Sequence, residues 1–313
     1  MSSQHLNGLI AAPFTPFHAS GELNLAVIPD YYALLKTNGV TGAFIAGSTG
    51  EGVSLSLKEK KQVTTAWASA TRQDPEFRVM CFLGGTSITD CIELAKHAHQ
   101  EGIFAVSFTA PFYFKPSSVK QLAACIAEVA AAVPDMPFYY YHIPVLTGVG
   151  FSMIDLLQEV DGHISNFAGI KYTHEDFMDF LSCLRFQQGR YDMLWGRDEN
   201  MLSALVLGAK GSVGSTFNYA APLYHKLIDA FERNDLETAR AEQQRSIDMI
   251  RLLGKYGGIA TGKMFMKTIG LDCGEFRLPV RNMNLEERQL FTRDLERISF
   301  QDYCSRYPVA KHS

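Results

Sequence analysis

The feature that most constrains this chain is a rhythm. Short apolar or aromatic runs alternate with longer amphipathic stretches, about eight times over. The runs fall at residues 8–12, 42–46, 78–83, 105–109, 137–141, 167–172, 191–195 and 211–214. Each ends in a polar or glycine-containing loop. Helical patterns follow at 24–37, 57–70, 87–100, 117–132, 152–160, 175–187, 199–207 and 219–233. Ser56 followed by Glu59 reads as a capping box that opens the second of these. Strand and helix in alternation predict an α/β chain with a parallel sheet covered by helices. Near-continuous apolar strands agree, because parallel strands are buried on both faces. Eight such units predict a closed (β/α)8 TIM barrel. An open doubly wound sheet is the alternative. It would carry G-x-G-x-x-G after its first strand, where this chain has Ala11-Ala12-Pro13-Phe14-Thr15-Pro16.

After residue 233 the pattern changes. Helical stretches at 236–253, 260–269 and 285–298 follow one another without strands. The expected organisation is a catalytic barrel over 1–233 and a three-helix extension over 234–313, packed on the barrel. Hydrophobic residues make up 47% of the chain and its formal charge is -4, so no basic excess points to nucleic acid. No apolar run approaches the ~18 residues of a membrane helix, and the amino terminus has no basic-then-apolar secretory pattern. Six cysteines without a C-x-x-C pair read as free thiols in a reducing compartment. A cytoplasmic protein without membrane or nucleic-acid partners is expected.

In a (β/α)8 barrel the site lies at the carboxyl ends of the strands. Alternation places Lys171 and Thr173 on one face of the sixth strand, and Tyr141 and Ile143 on one face of the fifth, with His142 pointing away. A lysine inside an apolar strand is costly to bury charged. Desolvation would lower its pKa and make the neutral amine a nucleophile toward carbonyls. A lysine at the strand's exposed tip, or in an ion pair, is the other reading. Tyr141 suits proton transfer or simple packing. Gly47-Ser48-Thr49-Gly50-Glu51 suits an anion cradle of backbone and hydroxyl donors, or an ordinary glycine-rich loop. Asp198 and Glu199 at the seventh strand tip suit substrate hydroxyls, or a helix start. They would repel phosphate at the neighbouring loop 214–216, which favours a neutral polyol. The histidines have no metal-ligand spacing, so no metal centre is expected.

The order Gly47-Ser-Thr-Gly-Glu51, Tyr141-His-Ile-Pro144, Gly169-Ile-Lys171 and Gly214-Ser-Thr216 resembles the N-acetylneuraminate lyase and dihydrodipicolinate synthase group of class I, Schiff-base aldolases. The resemblance runs from about residue 6 through the final helices. It implies a barrel with a three-helix extension, assembled as a homotetramer, that works without a metal or organic cofactor. Lys171 would form a Schiff base with the keto group of pyruvate or sialic acid. Tyr141 would relay a proton. Ser48 and Thr49 would hold the keto acid's carboxylate. Thr173, Gly196, Asp198, Glu199 and Ser215 would contact the sugar chain. The implied reaction cleaves N-acetylneuraminate to N-acetylmannosamine and pyruvate.

Two departures separate branches of that group. The synthase pattern has an arginine where this chain has Leu146, and an inter-subunit tyrosine where it has Phe114. Both changes argue for an uncharged aldehyde, and they leave Tyr113 as the one aromatic hydroxyl in that loop. The alternatives are a sister aldolase for another 2-keto-3-deoxy sugar acid, and a non-catalytic binder of keto acids on the same barrel.

Overall fold

The computed structural model describes residues 5–307. Residues 1–4, which carry part of the amino-terminal reading, and 308–313, the end of the expected extension, lie outside the described residues. The strands are β1 (Gly8–Ala11), β2 (Gly42–Ile45), β3 (Arg78–Phe82), β4 (Ala105–Thr109), β5 (Phe138–His142), β6 (Phe167–Tyr172), β7 (Asp192–Trp195) and β8 (Gly211–Gly214). Each pairs in parallel with the next, and β8 closes on β1. The eight alternating units of the sequence therefore form the expected (β/α)8 barrel.

Closure divides the apolar side chains into two sets. Ile10, Phe44, Met80, Phe82, Tyr139, Tyr141, Leu194 and Val213 fill the barrel interior. Ala43, Ile45, Phe138, Tyr140, Ile170 and Tyr172 point outward under the helices. Strict alternation holds along β5 but not along β6. Phe138 pairs with Phe167 while Tyr139 pairs with Gly169, so Ala168 is an extra residue. This bulge resets the alternation, and Ala168 shares the interior with Lys171, three residues on.

Polar caps set the helix starts. In the helix Leu57–Thr71 the Ser56 hydroxyl accepts from the Glu59 amide, and the Glu59 carboxylate accepts from the Ser56 amide at 2.9 Å. The stretch expected at 175–187 is shorter, Phe177–Arg185, because the Asp176 carboxylate accepts from the amides of Met178 and Asp179. After Arg185 a 3-10 turn, Phe186–Gln188, follows, in which Gln187 and Gln188 both have positive φ. The helix expected from 199 begins at Met201, and Asp198–Asn200 form a separate 3-10 turn. The sequence reading contains no counterpart to the short turn Pro144–Thr147, which starts on a proline and ends at Gly148 in the left-handed region.

Three helices, Leu236–Lys255, Thr261–Thr268 and Leu285–Arg297, follow the barrel. The first lies along Phe217–Glu232. Polar bonds tie the group to the barrel: Gln243 Nε2 donates to the Asp198 carbonyl, and the Ser246 and Tyr224 hydroxyls are 2.7 Å apart. All six cysteines are free. No described helix is long and apolar enough to cross a membrane.

Gly169 allows the closest strand approach near the site. A Cβ there would lie 1.9 Å from the Asp192 carbonyl oxygen. Gly169→Ala is expected to force β6 and β7 apart and cost about 1–3 kcal/mol, as overpacking does. Urea unfolding of the variant against the parent checks this.

Candidate active site

Lys171 ends the interior face of β6, level with Tyr141 on β5 in the ladder. Its residue is 4% exposed. The amine lies 3.9 Å from the ring centroids of both Phe44 and Tyr141. Phe82 completes the aromatic wall, 5.5 Å from the Tyr141 ring and 5.8 Å from that of Phe44. Among the described residues, Lys171 Nζ makes no hydrogen bond or ion pair. The exposed-tip and ion-pair readings of this lysine therefore fail on geometry.

Among the described residues two other lysines are buried, and both are partnered. Lys60 Nζ donates to the carbonyls of Leu83 and Gly84. Lys263 Nζ is paired with Glu51 at 2.9 Å. Lys171 differs in having ring faces beside it and no hydrogen-bond or ion-pair partner. Burial pushes its amine from 10.5 down to about 7, against the pull of the Asp198 carboxylate. The ring faces favour positive charge, so the pocket tolerates a cation while withholding water.

Burial also raises the Tyr141 phenol to about 12. The hydroxyls of Ser48 and Thr173 lower it, and Asp198 raises it. These causes place Ser48, Thr173 and Asp198 around one phenol. Thr173 Oγ1 nevertheless has no well-formed hydrogen bond and is buried. Its loose contact with the Tyr141 phenol leaves bonding capacity unused at the carboxyl end of β6.

Asp198 is enclosed. One of its carboxylate oxygens accepts from the Thr216 amide at 3.0 Å and from the Thr216 hydroxyl at 2.6 Å. Thr216 Oγ1 is 2.6 Å from the Tyr224 hydroxyl, which meets Ser246 in turn. Gly214 leaves the room for this carboxylate, since a Cβ there would lie 2.1 Å from Asp198 Oδ1. Burial pushes Asp198 up to about 6, and the Thr216 hydrogen bond pulls it back.

The remaining expected residues are placed as follows. Thr49 is buried and Ser48 half-buried in the loop after β2. The Thr15 hydroxyl holds that loop by donating to the Gly50 carbonyl at 2.5 Å. Gly196 abuts Thr173, whose hydroxyl a Cβ would strike. Ser215 is half-buried beside Thr216, and its carbonyl accepts from Asn218 at 2.7 Å. Glu199 stands in the same turn as Asp198, but its carboxylate meets Arg197 at 2.8 Å. Arg197 also pairs with Glu175, so the Glu199 charge is already answered. Tyr113 stacks edge-on with Phe114 and is 76% exposed, so within one chain it faces solvent. His142 lies outside the barrel against Tyr172 and His174, away from the amine.

Phe44, Phe82, Thr216, Tyr224 and Ser246 also build this site and were not among the expected residues. The alternation in β2 and β3 carries a signal for the two phenylalanines, because it turns them inward. Nothing in the sequence marks Tyr224 or Ser246, which reach the site only through folding.

These features define a class: a (β/α)8 barrel with an unpaired, aromatic-walled lysine at the carboxyl end of the sixth strand. Residues 5–298 match the Dihydrodipicolinate synthetase family. The N-acetylneuraminate lyase of Mus musculus is 39% identical over 285 residues, 90% of this chain and 89% of that protein. The human N-acetylneuraminate lyase is 38% identical over 306 residues, 95% of each chain. The solved structure of Proteus mirabilis N-acetylneuraminate lyase is 39% identical with a TM-score of 0.92, covering 95% of this chain and 100% of that one. The chain belongs to the dihydrodipicolinate synthetase family.

Only a neutral amine attacks a carbonyl. Reductive methylation of Lys171 by formaldehyde and cyanoborohydride is therefore expected to rise with pH through about 7 and level off above it. Peptide mass spectrometry reads the yield. A rate still climbing toward pH 10, as at an exposed lysine, is the contrary result.

Proposed function

We propose that this protein is a class I aldolase that cleaves N-acetylneuraminate to N-acetylmannosamine and pyruvate through a Schiff base on Lys171. The observation that carries this reading is the Lys171 amine, buried, without an ion-pair partner and set between two ring faces. Family membership and lyase relatives covering nearly the whole chain support it.

The neutral amine attacks the substrate's C2 ketone, and the resulting carbinolamine takes up one proton and loses water to leave an iminium. That cation lies against the faces of Phe44 and Tyr141, which favour positive charge. It is the electron sink for cleavage of the C3–C4 bond. Tyr141, a neutral phenol, receives the C4 hydroxyl proton while passing its own to the substrate carboxylate. The aldehyde leaves, the enamine takes a proton at C3, and water releases pyruvate and the free amine. The lysine is itself the sink, so the scheme needs no metal or cofactor.

Ser48 and Thr49 hold the carboxylate. Thr173, Gly196, Asp198, Glu199 and Ser215 line the sugar chain, and the Thr173 hydroxyl, which makes no well-formed hydrogen bond, is available to a substrate oxygen. Glu199 reaches substrate by sharing or releasing Arg197. Leu146 and Phe114, exposed on the loops after β5 and β4, offer no cation for a second carboxylate. This favours an uncharged aldehyde. In the same reading the chain divides into a catalytic barrel, 1–233, and a helical extension, 234–313. It works in the cytoplasm as a homotetramer. The exposed aromatic pair Tyr113 and Phe114 supports burial in such an assembly.

Pyruvate with borohydride is expected to leave one reduced adduct per chain, on Lys171, and Lys171→Ala to abolish pyruvate release from N-acetylneuraminate. An adduct on Lys60 or Lys263, or none, overturns the mechanism. Tyr141→Phe is expected to lower kcat roughly 10²- to 10⁴-fold with little change in adduct formation. Parallel assays with a ketodeoxygluconate decide against the sister aldolase. Pyruvate binding without cleavage of either acid would indicate a non-catalytic binder.

A further inference from the structure

The loop after β2 carries Ser48 and Thr49, and it is gripped from far along the chain. Lys263, on the helix Thr261–Thr268, places Nζ 2.9 Å from Glu51 Oε1. The two side chains are 2% and 4% exposed. The other Glu51 oxygen accepts from the Arg277 amide at 2.9 Å. Lys263 also donates to the Glu275 carbonyl at 3.0 Å, and its ammonium lies over the rings of Phe17 and Phe276. The Arg277 guanidinium runs on to Glu59 at 2.6 Å and to the Gly21 carbonyl. Both oxygens of one carboxylate are thus fixed by the extension.

Glu51 itself holds φ at 57°. A non-glycine residue stays in that region when its surroundings over-determine it. The turn around it closes locally through Glu51 N to the Ser48 carbonyl and Gly52 N to the Gly47 carbonyl. Neither bond needs a carboxylate at position 51. Nor does packing need the buried pair, since apolar side chains of similar volume at both positions would often serve as well. A buried pair that adds little stability over apolar residues still fixes direction and distance. Here it does so two residues from Thr49.

We infer that Glu51 and Lys263 are positioning residues that hold the Ser48–Thr49 cradle in the form that receives the keto acid's carboxylate, so that the extension is part of the substrate-binding apparatus. This rests on the aldolase reading above. Neither side chain touches substrate. Lys263 acts through Glu51, and Glu51 through the backbone of its loop.

The test is a pyruvate titration of borohydride trapping in the full-length parent, Lys263→Met and Glu51→Gln. In the variants the half-saturating pyruvate concentration is expected to rise roughly ten- to a hundredfold, the scale of a small misplacement of binding groups. The label should remain on Lys171 and reach the parental extent at saturation. With N-acetylneuraminate, KM should rise far more than kcat falls. A merely structural pair would lower Tm and leave the titration unmoved, so curves that superpose on the parent overturn the inference. Hydrogen exchange of the parent needs no variant and covers the case in which the substitutions prevent folding. On trapping with pyruvate, peptides 47–52 and 261–277 should slow together, and protection confined to the barrel loops overturns the inference. A parent that forms no adduct refutes the aldolase reading and this inference with it. A parent that traps normally beside variants that also trap normally refutes this inference alone.

Discussion

The rest of the site is arranged around the cost of desolvating one amine. Lys171 is buried beside Phe44, Tyr141 and Phe82, with no counter-ion in contact. A carboxylate in contact would pull the amine toward its charged form, as Glu51 pulls Lys263 against the larger effect of burial. Full exposure would leave its pKa at the ordinary lysine value. The observed arrangement avoids both. Asp198 acts on the amine from farther off, and Thr216 already engages its carboxylate. Burial thus outweighs attraction, and the amine is poised near neutrality.

That balance needs rigid neighbours, and the rigidity comes from outside the barrel wall. Two loops at the carboxyl ends are braced by the carboxyl-terminal helices. The turn holding Asp198 is fixed by Gln243 bonding its carbonyl, and by Ser246 and Tyr224 reaching its carboxylate through Thr216. The loop holding Ser48 and Thr49 is fixed through Glu51 by Lys263 and Arg277. Both braces span more than 40 residues of sequence, and the second spans 212. Together with the Thr15 bond to the Gly50 carbonyl, this bracing explains how hydroxyls on a glycine-rich loop can keep a defined direction.

The barrel was legible because its causes are local. Eight apolar runs, polar turns and serine caps repeat at short range, and each unit needs only its neighbours to be read. Lys171 and Tyr141 were also legible as a pair, since each lies near a strand's carboxyl end. Alternation alone was not enough for β6. Its bulge at Ala168 depends on pairing with β5, and a strand read in isolation has no partner to show the slip. Asp198 likewise spends its side chain on Thr216, 18 residues on, whereas the start at Phe177 follows from a local cap by Asp176 that the amphipathic pattern does not show.

The sequence by itself determined the architecture, the strand order and which residue types could meet at the carboxyl face. Periodicity, capping and turn chemistry are short-range, and they suffice for that. Only the tertiary structure decided that Lys171 lacks a partner while Lys60 and Lys263 have one, that the Glu199 charge is answered by Arg197, and that helices beyond the barrel grip its loops. Those outcomes depend on distances between residues remote in the chain. Electrostatic cost and hydrogen-bond geometry take values only once the polypeptide has closed on itself.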